Sequence, residues 1–168
     1  MTMGRKYFWL SLALAAPLCA APTLALAQQS PDPDWAFYGN SKLSYTVCYP
    51  TKLLKPQRES DSGDGRVFKG KNGAEMRVWG ASNALEWTVT SAKNWRMGYL
   101  AKDGVDFSYI RQGKNFFVLS GMRKGQIVYH KSILENDTWR AVEFHYSPKD
   151  RATWDPVVTR VASCLDAM

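Results

Sequence analysis

The chain has 168 residues, a net charge of +7 and 13% aromatic residues. This length is typical of one domain, and the aromatic content is sufficient for a packed core. Basic residues are scattered, and Arg123 and Lys124 are the only adjacent pair after the first 27 residues. Because the chain has no tract of lysines and arginines that could contact a phosphate backbone, we expect no nucleic-acid partner.

Residues 1–27 have the pattern of a secretory signal peptide. Arg5 and Lys6 precede an apolar run, and Ala25–Ala27 forms a small-residue cleavage site. The alternative, an uncleaved membrane anchor, is disfavoured by two prolines within the run. We therefore expect a periplasmic or secreted protein with no transmembrane segment after cleavage, and Cys19 is removed with the leader.

Cys48 and Cys164 are the two cysteines that remain after cleavage. An even number of cysteines in an exported protein usually pairs, whereas a reactive thiol needs a positive neighbourhood and a nearby base. The residues that flank Cys48 supply neither. The sequence therefore predicts a Cys48–Cys164 disulfide.

After the leader, the sequence predicts a flexible segment over residues 28–42, followed by one domain over residues 43–168. Alternation from Leu43 predicts a strand that ends at Pro50. Residues 56–65 read as a polar loop. Asn72 and Gly73 then predict a hairpin between strands at 66–69 and 74–80.

A helix is predicted next, with Asn83 and Glu86 as a capping box and Gly104 as its stop. Its buried stripe is predicted to contain Leu85, Val89, Ala92, Trp95 and Tyr99. Four strands with short turns follow and predict an antiparallel meander. Ser147 and Pro148 begin a last helical segment, which either kinks at Pro156 or restarts with Asp155 as its cap. Its apolar stripe includes Cys164, so the disulfide would join the last helix to the first strand.

This order of elements resembles the PsbP-like superfamily of exported bacterial proteins. The resemblance is carried by a strand ending at Tyr49–Pro50, the segments FVLSG (117–121) and QIVYHK (126–131), and a closing helix after HYSPKD. It implies an α+β fold in which helices pack on both faces of a single antiparallel sheet. It also implies a docking or accessory module without a common active site, so no catalytic residue is transferred. The cysteine pair is a departure from the family pattern.

The two histidines, His130 and His145, fall on neighbouring predicted strands. If the strand register pairs residues whose numbers have an odd sum, the two rings lie diagonally on one face, about 7 Å apart. Glu143 or Asp137 could then complete a metal site. Two histidines alone do not make such a site, which needs three or four ligands, so the expectation is structural histidines, no metal and no cofactor.

Four residues are candidates for a basic aromatic binding surface: Trp87, Arg96, Trp139 and Arg140. Tryptophan, tyrosine and arginine are enriched at interfaces, although packing in the core is the simpler role for an aromatic residue. Trp87 falls off the predicted helix stripe, which favours exposure.

The sequence thus favours an exported, soluble, non-catalytic binding or accessory protein of the envelope, with a protein or another envelope component as partner. This hypothesis predicts no deep polar pocket. A small periplasmic hydrolase, metal-dependent or not, is the alternative, and it predicts a cleft that contains His130 and a perturbed carboxylate. A secretion-linked adaptor or toxin-neutralising protein is a further alternative that the residues do not discriminate.

Overall fold

The computed structural model describes residues 32–168, which belong to one compact unit. The predicted signal peptide, its cleavage site and Cys19 lie outside the described residues. Within residues 32–168, no helix combines the length and the hydropathy that crossing a membrane requires.

The described chain starts with strand β1 (Trp35–Asn40), antiparallel to β2 (Tyr45–Pro50). The prediction of a flexible segment over residues 28–42 is therefore wrong for its second half. Tyr38 and Asn40 point inward, and the Tyr38 hydroxyl donates a 2.6 Å hydrogen bond to Glu59. Only two residues of this short strand point inward, and one of them is polar. Its sequence therefore shows no clear apolar alternation.

The main sheet is antiparallel and has seven strands in the order β3-β4-β5-β9-β8-β7-β6. These strands are β3 (Lys55–Glu59), β4 (Gly65–Lys69), β5 (Glu75–Ser82), β6 (Asp106–Gln112), β7 (Phe116–Arg123), β8 (Gln126–Glu135) and β9 (Thr138–Tyr146). The meander from β6 to β9 and the hairpin from β4 to β5 agree with the prediction. In the hairpin turn, Asn72 and Gly73 have φ of 54° and 74°, as the Asn-Gly pair predicts.

Strand β3 corrects the prediction of a loop over residues 56–65. It forms one edge of the seven-stranded sheet, and its residues are mostly exposed. Pro56 is compatible with this place because an edge strand has one side without ladder hydrogen bonds. The proline and the charged side chains hid the strand from a reading by hydrophobic pattern.

Helix α1 (Val89–Lys102) begins later than predicted. Thr88 is its N-cap and accepts a 3.1 Å hydrogen bond from the Ser91 amide. The predicted capping box is wrong, because Glu86 has a left-handed backbone with φ of 51°. The helix ends just before Gly104, as predicted.

The buried stripe of α1 also differs from the prediction. Val89, Ala92 and Leu100 are buried, and Arg96 lies on the same side with 14% of its side chain exposed. Trp95 and Tyr99 are each 55% exposed. Arg96 takes an inward position because it has an acidic partner on the sheet.

Helix α2 (Arg151–Ser163) follows a short 3-10 turn that Ser147 caps, and it continues through Pro156 without a break. The alternative in which a second helix starts with Asp155 as its cap is therefore wrong. After α2, strand β10 (Asp166–Ala167) pairs with β2 and completes a three-stranded sheet, β1-β2-β10. The prediction of a single sheet is thus corrected to two antiparallel sheets.

Two groups of buried residues form the core. The first, the α2 cluster, contains α2 residues and the inward residues of β2, β4, β5 and β9, among them Val47, Phe68, Met76, Phe144 and Val161. The second, the α1 cluster, is smaller and contains Val89, Ala92, Leu100, Val105, Phe117, Leu119 and Val128. Neighbouring residues of β8 go to different clusters, Ile127 to the first and Val128 to the second, as the alternation of a strand requires.

The predicted disulfide is present. Cys48 in β2 and Cys164, which directly follows α2, are bonded, with a Cα–Cα distance of 5.9 Å. The bond closes a sequence separation of 116 residues and joins the last helix to a strand near the start of the domain.

Candidate functional site

An aromatic cavity of about 370 Å³ lies between α1 and the sheet. Five aromatic side chains supply much of its wall: Trp79, Trp87, Trp95, Phe117 and Trp139. Alanines at positions 81, 92 and 141 also line it, and their small side chains leave the central space open. We call this space the aromatic cavity.

Asn83 fixes two tryptophans of the cavity wall. Its Oδ1 atom accepts hydrogen bonds from the Trp139 indole at 2.9 Å and from the Trp87 amide at 3.0 Å. The Asn83 backbone amide donates to the Asp137 carbonyl at 2.7 Å, which ties this loop to the β8–β9 turn. The asparagine predicted as a helix cap thus has a different role: it positions the cavity wall.

A buried ion-pair network lies beneath the cavity and is centred on Glu143 of β9. His130 Nδ1 lies 3.1 Å from Glu143 Oε2, and His145 Nε2 lies 2.9 Å from Glu143 Oε1. The Arg96 guanidinium of α1 also pairs with Glu143. His130 is directly opposite Glu143 in the β8–β9 register, so the odd-sum case applies and the two histidines are diagonal neighbours on one face.

The pKa shifts follow from this arrangement. Burial lowers the pKa of His130, and this effect outweighs the neighbouring Glu143, so His130 is neutral at pH 7. Burial alone would raise the pKa of Glu143. Hydrogen bonds from His130 and His145 and the charge of Arg96 outweigh it and hold the pKa of this carboxyl well below its usual range.

Ser132 connects the network to the cavity. Its Oγ lies 2.8 Å from His130 Nε2, and both residues line the cavity. Ser132, His130 and Glu143 therefore form a hydrogen-bonded line in the order hydroxyl, imidazole, carboxylate. That order occurs in serine hydrolases, and it also satisfies both nitrogens of a buried imidazole.

A second cavity of about 290 Å³ is polar and adjoins the first. Three arginines line it, Arg77, Arg96 and Arg123, together with the carboxylates of Asp103 and Glu143. We call it the arginine cavity. Trp79 and Arg96 line both cavities, and the guanidinium of Arg96 lies over the ring of Trp79 at 5.4 Å.

The structure brings three of the four predicted binding residues together. Trp87, Arg96 and Trp139 all line the aromatic cavity, but Arg140 does not. Arg140 is buried elsewhere and pairs with Glu135 and Asp166, at 2.5 Å and 3.4 Å. Because alternate strand residues point to opposite faces, Trp139 and Arg140 cannot share one surface. Arg140 is thus a correction to the predicted site.

The predicted histidine pair converges on Glu143, while Asp137 lies in the turn beyond β8, about 20 Å from His130 at the rise of a strand. In the part of the chain that the structure describes, no group of three or more metal-type side chains is arranged to hold an ion. His130 and Glu143 instead form a hydrogen bond with each other.

Ser132 and Trp79 also belong to the site, although neither was among the four predicted binding residues. The signal for Ser132 was its spacing of two residues from His130, which places both side chains on one strand face. The sequence gives no comparable signal for Trp79, because Trp79 lies in β5 and its contact partner Arg96 lies in α1.

Comparison with known proteins supports the fold. No protein-family model and no curated protein sequence matches the chain. A solved structure, the cyanobacterial PsbP (CyanoP) of Synechocystis sp. PCC 6803, superposes with a TM-score of 0.61 at 13% identity. The match covers 91% of this chain and 100% of that one. The chain therefore has a PsbP-like fold, as its order of elements predicted.

Proposed function

We propose that this chain is an exported accessory protein that docks on a macromolecular partner of the cell envelope through the aromatic cavity and its rim. One observation carries the proposal: four tryptophans converge on an open cavity whose ionisable floor is already neutralised by internal partners. A site with these properties offers apolar contact area and a few polar groups, as binding pockets do.

The rim of the cavity supports docking on a large partner. Leu85 is 71% exposed and Trp95 is 55% exposed, and both line the cavity. Exposed apolar side chains grouped around a pocket are a feature of interaction sites, where aromatic residues dominate binding. The predicted basic aromatic surface is thus revised: Trp87, Trp139 and Arg96 are kept, Arg140 is removed and Trp95 is added.

Export to the periplasm or to the outside of the cell is part of the proposal. The leader at residues 1–27 supports it, and so does the Cys48–Cys164 disulfide, because disulfides persist in oxidising compartments. Mass measurement of the purified protein after alkylation tests it, and two thiols should become available only after reduction. If Cys48 is alkylated in the protein without reduction, the proposal of export to an oxidising compartment is contradicted.

The sandwich arrangement belongs to the same proposal. Residues of α1 and α2 contribute to different clusters, and alternate residues of β8 go to one cluster or the other. These contacts support a sheet covered by one helix on each face. The aromatic cavity then belongs to one face only, and the partner approaches from the α1 side.

Site-specific photocrosslinking in intact cells tests the docking role. A benzophenone amino acid at Leu85 should yield a discrete covalent adduct with one envelope component. The same group at Phe37, which is 71% exposed on β1, is the matched control and should not yield that adduct. Equal adducts at both positions, or none at Leu85, would contradict docking at the cavity.

The line of Ser132, His130 and Glu143 favours a second candidate function, a small periplasmic hydrolase. In that case Ser132 Oγ would attack the carbonyl carbon of an ester and pass its proton to His130 Nε2. His130 would then return the proton to the departing alkoxide, and water would release the acyl group. Glu143 would hold the imidazole in the required tautomer.

Labelling with a fluorophosphonate probe distinguishes this candidate from binding. A hydrolase predicts one label that Ser132→Ala removes and Ser120→Ala retains, since Ser120 donates to a backbone carbonyl instead of a histidine. The metal-dependent form predicts stoichiometric zinc that His130→Ala removes. An unlabelled, metal-free and folded protein would argue against both forms.

A further inference from the structure

We propose that the aromatic cavity receives one aromatic side chain from an acidic segment of the partner protein, and that a neighbouring carboxylate of that segment lies against the arginine cavity. This inference rests on the docking function proposed above and specifies the chemistry that the site recognises.

The lining of the aromatic cavity selects a flat apolar group. Rings of Trp79, Phe117 and Trp139 surround the space, and aromatic pairs gain from offset and edge-to-face contacts. The volume of about 370 Å³ falls at the low end for ligand pockets, which suits one side chain better than a large cofactor. His130 and Ser132 supply the polar atoms of the floor.

Charge selects against a cationic ligand. Among the described residues that line the aromatic cavity, Arg96 alone carries a full charge at neutral pH, since burial lowers the pKa of His130. The Arg96 guanidinium, at 5.4 Å from the Trp79 ring and 5.0 Å from the Tyr99 ring, would repel a second cation placed at this end of the cavity. A neutral or anionic group is therefore favoured.

The arginine cavity determines the preference for an anion. Three arginines line it against two carboxylates, and it shares Trp79 and Arg96 with the aromatic cavity. A carboxylate attached one residue from the inserted ring would lie close to this positive surface. Arg77 is the most accessible of the three, with 53% of its side chain exposed.

The internal partners of these arginines limit the expected gain. Arg77 pairs with Glu75, and Arg123 pairs with Asp103. The acidic neighbour should therefore add selectivity and faster association more than a large increase in affinity. The chain has a net charge of +7, or +5 without Arg5 and Lys6 of the leader, and this positive charge also attracts an acidic partner.

Short blocked peptides titrated into the oxidised protein test this chemistry, with the indole N–H resonances observed by NMR. A Glu-Phe-Glu peptide should shift the four cavity indoles, Trp79, Trp87, Trp95 and Trp139. Trp35 and Trp154 line neither cavity and serve as internal references that should not move.

Related peptides separate the two parts of the motif. Glu-Phe-Glu should bind about five-fold more tightly than Gln-Phe-Gln, and raising the salt from about 20 to about 200 mM should remove most of this difference. Lys-Phe-Lys should bind more weakly than either. Glu-Ala-Glu should leave the indoles unshifted, because it lacks the ring.

Two variant pairs localise the effect. Trp95→Ala should weaken Glu-Phe-Glu binding, whereas Phe37→Ala removes an exposed aromatic residue elsewhere and should not. Arg77→Gln should abolish the preference over Gln-Phe-Gln, whereas Arg151→Gln removes an equal charge from α2 and should preserve it. In Arg77→Gln, Lys69 still pairs with Glu75, so the fold is retained.

The inference is overturned if no phenylalanine peptide shifts the cavity indoles, or if the neutral or basic peptide binds as tightly as the acidic one. Equally tight binding of free 3-phenylpropionate would indicate a small-molecule ligand and would also overturn it. An adduct at Leu85 without peptide binding refutes this inference alone. Peptide binding without an adduct instead counts against docking in the envelope.

Discussion

The α2 cluster and the α1 cluster lie in one domain but are built differently. The α2 cluster contains large side chains with no exposed surface, such as Tyr45, Phe68 and Met76, and a disulfide closes it. The α1 cluster contains fewer buried apolar residues, an open cavity and a buried carboxylate with three partners. The difference teaches that the tightly packed core and the open space lie in separate parts of one domain.

Polar contacts that hold the cavity walls apart explain the contrast in physical terms. Protein interiors pack at the density of organic crystals, so an open space persists only where rigid groups hold its walls apart. In the α1 cluster, Asn83 positions two tryptophans, and the pair of Arg96 and Glu143 holds the helix to the sheet. Because these contacts are polar, their strength depends on partners and on pH, unlike that of the α2 cluster.

The largest expected effect comes from the disulfide. Replacing both Cys48 and Cys164 with alanine should lower the free energy of unfolding by up to about 5 kcal/mol, because the unfolded chain regains the entropy of a long loop. Urea denaturation measures the loss. The cavity indole resonances of the still-folded protein should keep their positions, since the bond belongs to the α2 cluster. A loss below about 1 kcal/mol would refute a stabilising role.

Glu143→Gln should produce the next largest effect, a loss of about 3 kcal/mol, because it leaves the Arg96 charge poorly compensated inside the protein. Asp61→Asn is the control. It removes a carboxylate whose side chain is 86% exposed beside Arg58, and it should have little measurable effect. Similar urea midpoints for both variants would show that the network contributes little to the attachment of α1.

Acidification should weaken the protein through His130. An unfolded histidine gains a proton below about pH 6.5, whereas burial lowers the pKa of His130 in the folded state. The unfolded state therefore binds more protons, so stability is complete above that pH and falls below it, by up to about 1.4 kcal/mol per pH unit. Urea unfolding between pH 7.5 and 5.5 should show this slope.

His130→Gln is the matching variant for that measurement, because it retains hydrogen-bonding capacity without a titrating ring. Its stability should change less with pH than that of the natural chain. Parallel curves for the two proteins would show that His130 does not cause the slope. Glu143 does not interfere in this range, since its carboxyl pKa is lowered and its contribution is lost only in stronger acid.

The smallest expected effect distinguishes the packing of the two clusters. Ala92→Leu on α1 adds methyl groups to the aromatic cavity and should stabilise by up to about 1 kcal/mol. Val161→Leu on α2 adds one carbon to a fully buried position and should destabilise by about 1 kcal/mol. Thermal unfolding measures both. Changes of the same sign would mean that the clusters are packed alike.

Much of the fold could be predicted from the sequence, because local patterns determine it. The β6–β9 meander and the Asn72–Gly73 hairpin follow from alternation and turn residues, and the cysteine pair follows from counting. Strands β1 and β3 were not predicted, because their polar and proline residues show no alternating apolar pattern. Pairing with neighbouring strands stabilises them instead.

The site was less predictable, because long-range contacts create it. Arg96 occupies an inward helix position only because Glu143 lies opposite on β9, 47 residues later. Arg140 was predicted at the surface from its neighbour Trp139, although strand alternation separates them. The cavity itself depends on how helix and sheet are spaced, which no single segment of sequence specifies.

The two-residue turn between β8 and β9 has a consequence for how the site can vary among related sequences. Asn136 and Asp137 both have left-handed backbones, with φ of 49° and 54°, and this tight reversal sets the strand register. Deleting one residue here would rotate every later side chain of β9 to the other face. Both Glu143 and His145 would then enter the apolar α2 cluster, so a change in length at this bend would bury ionisable groups among apolar side chains and remove the network beneath the aromatic cavity.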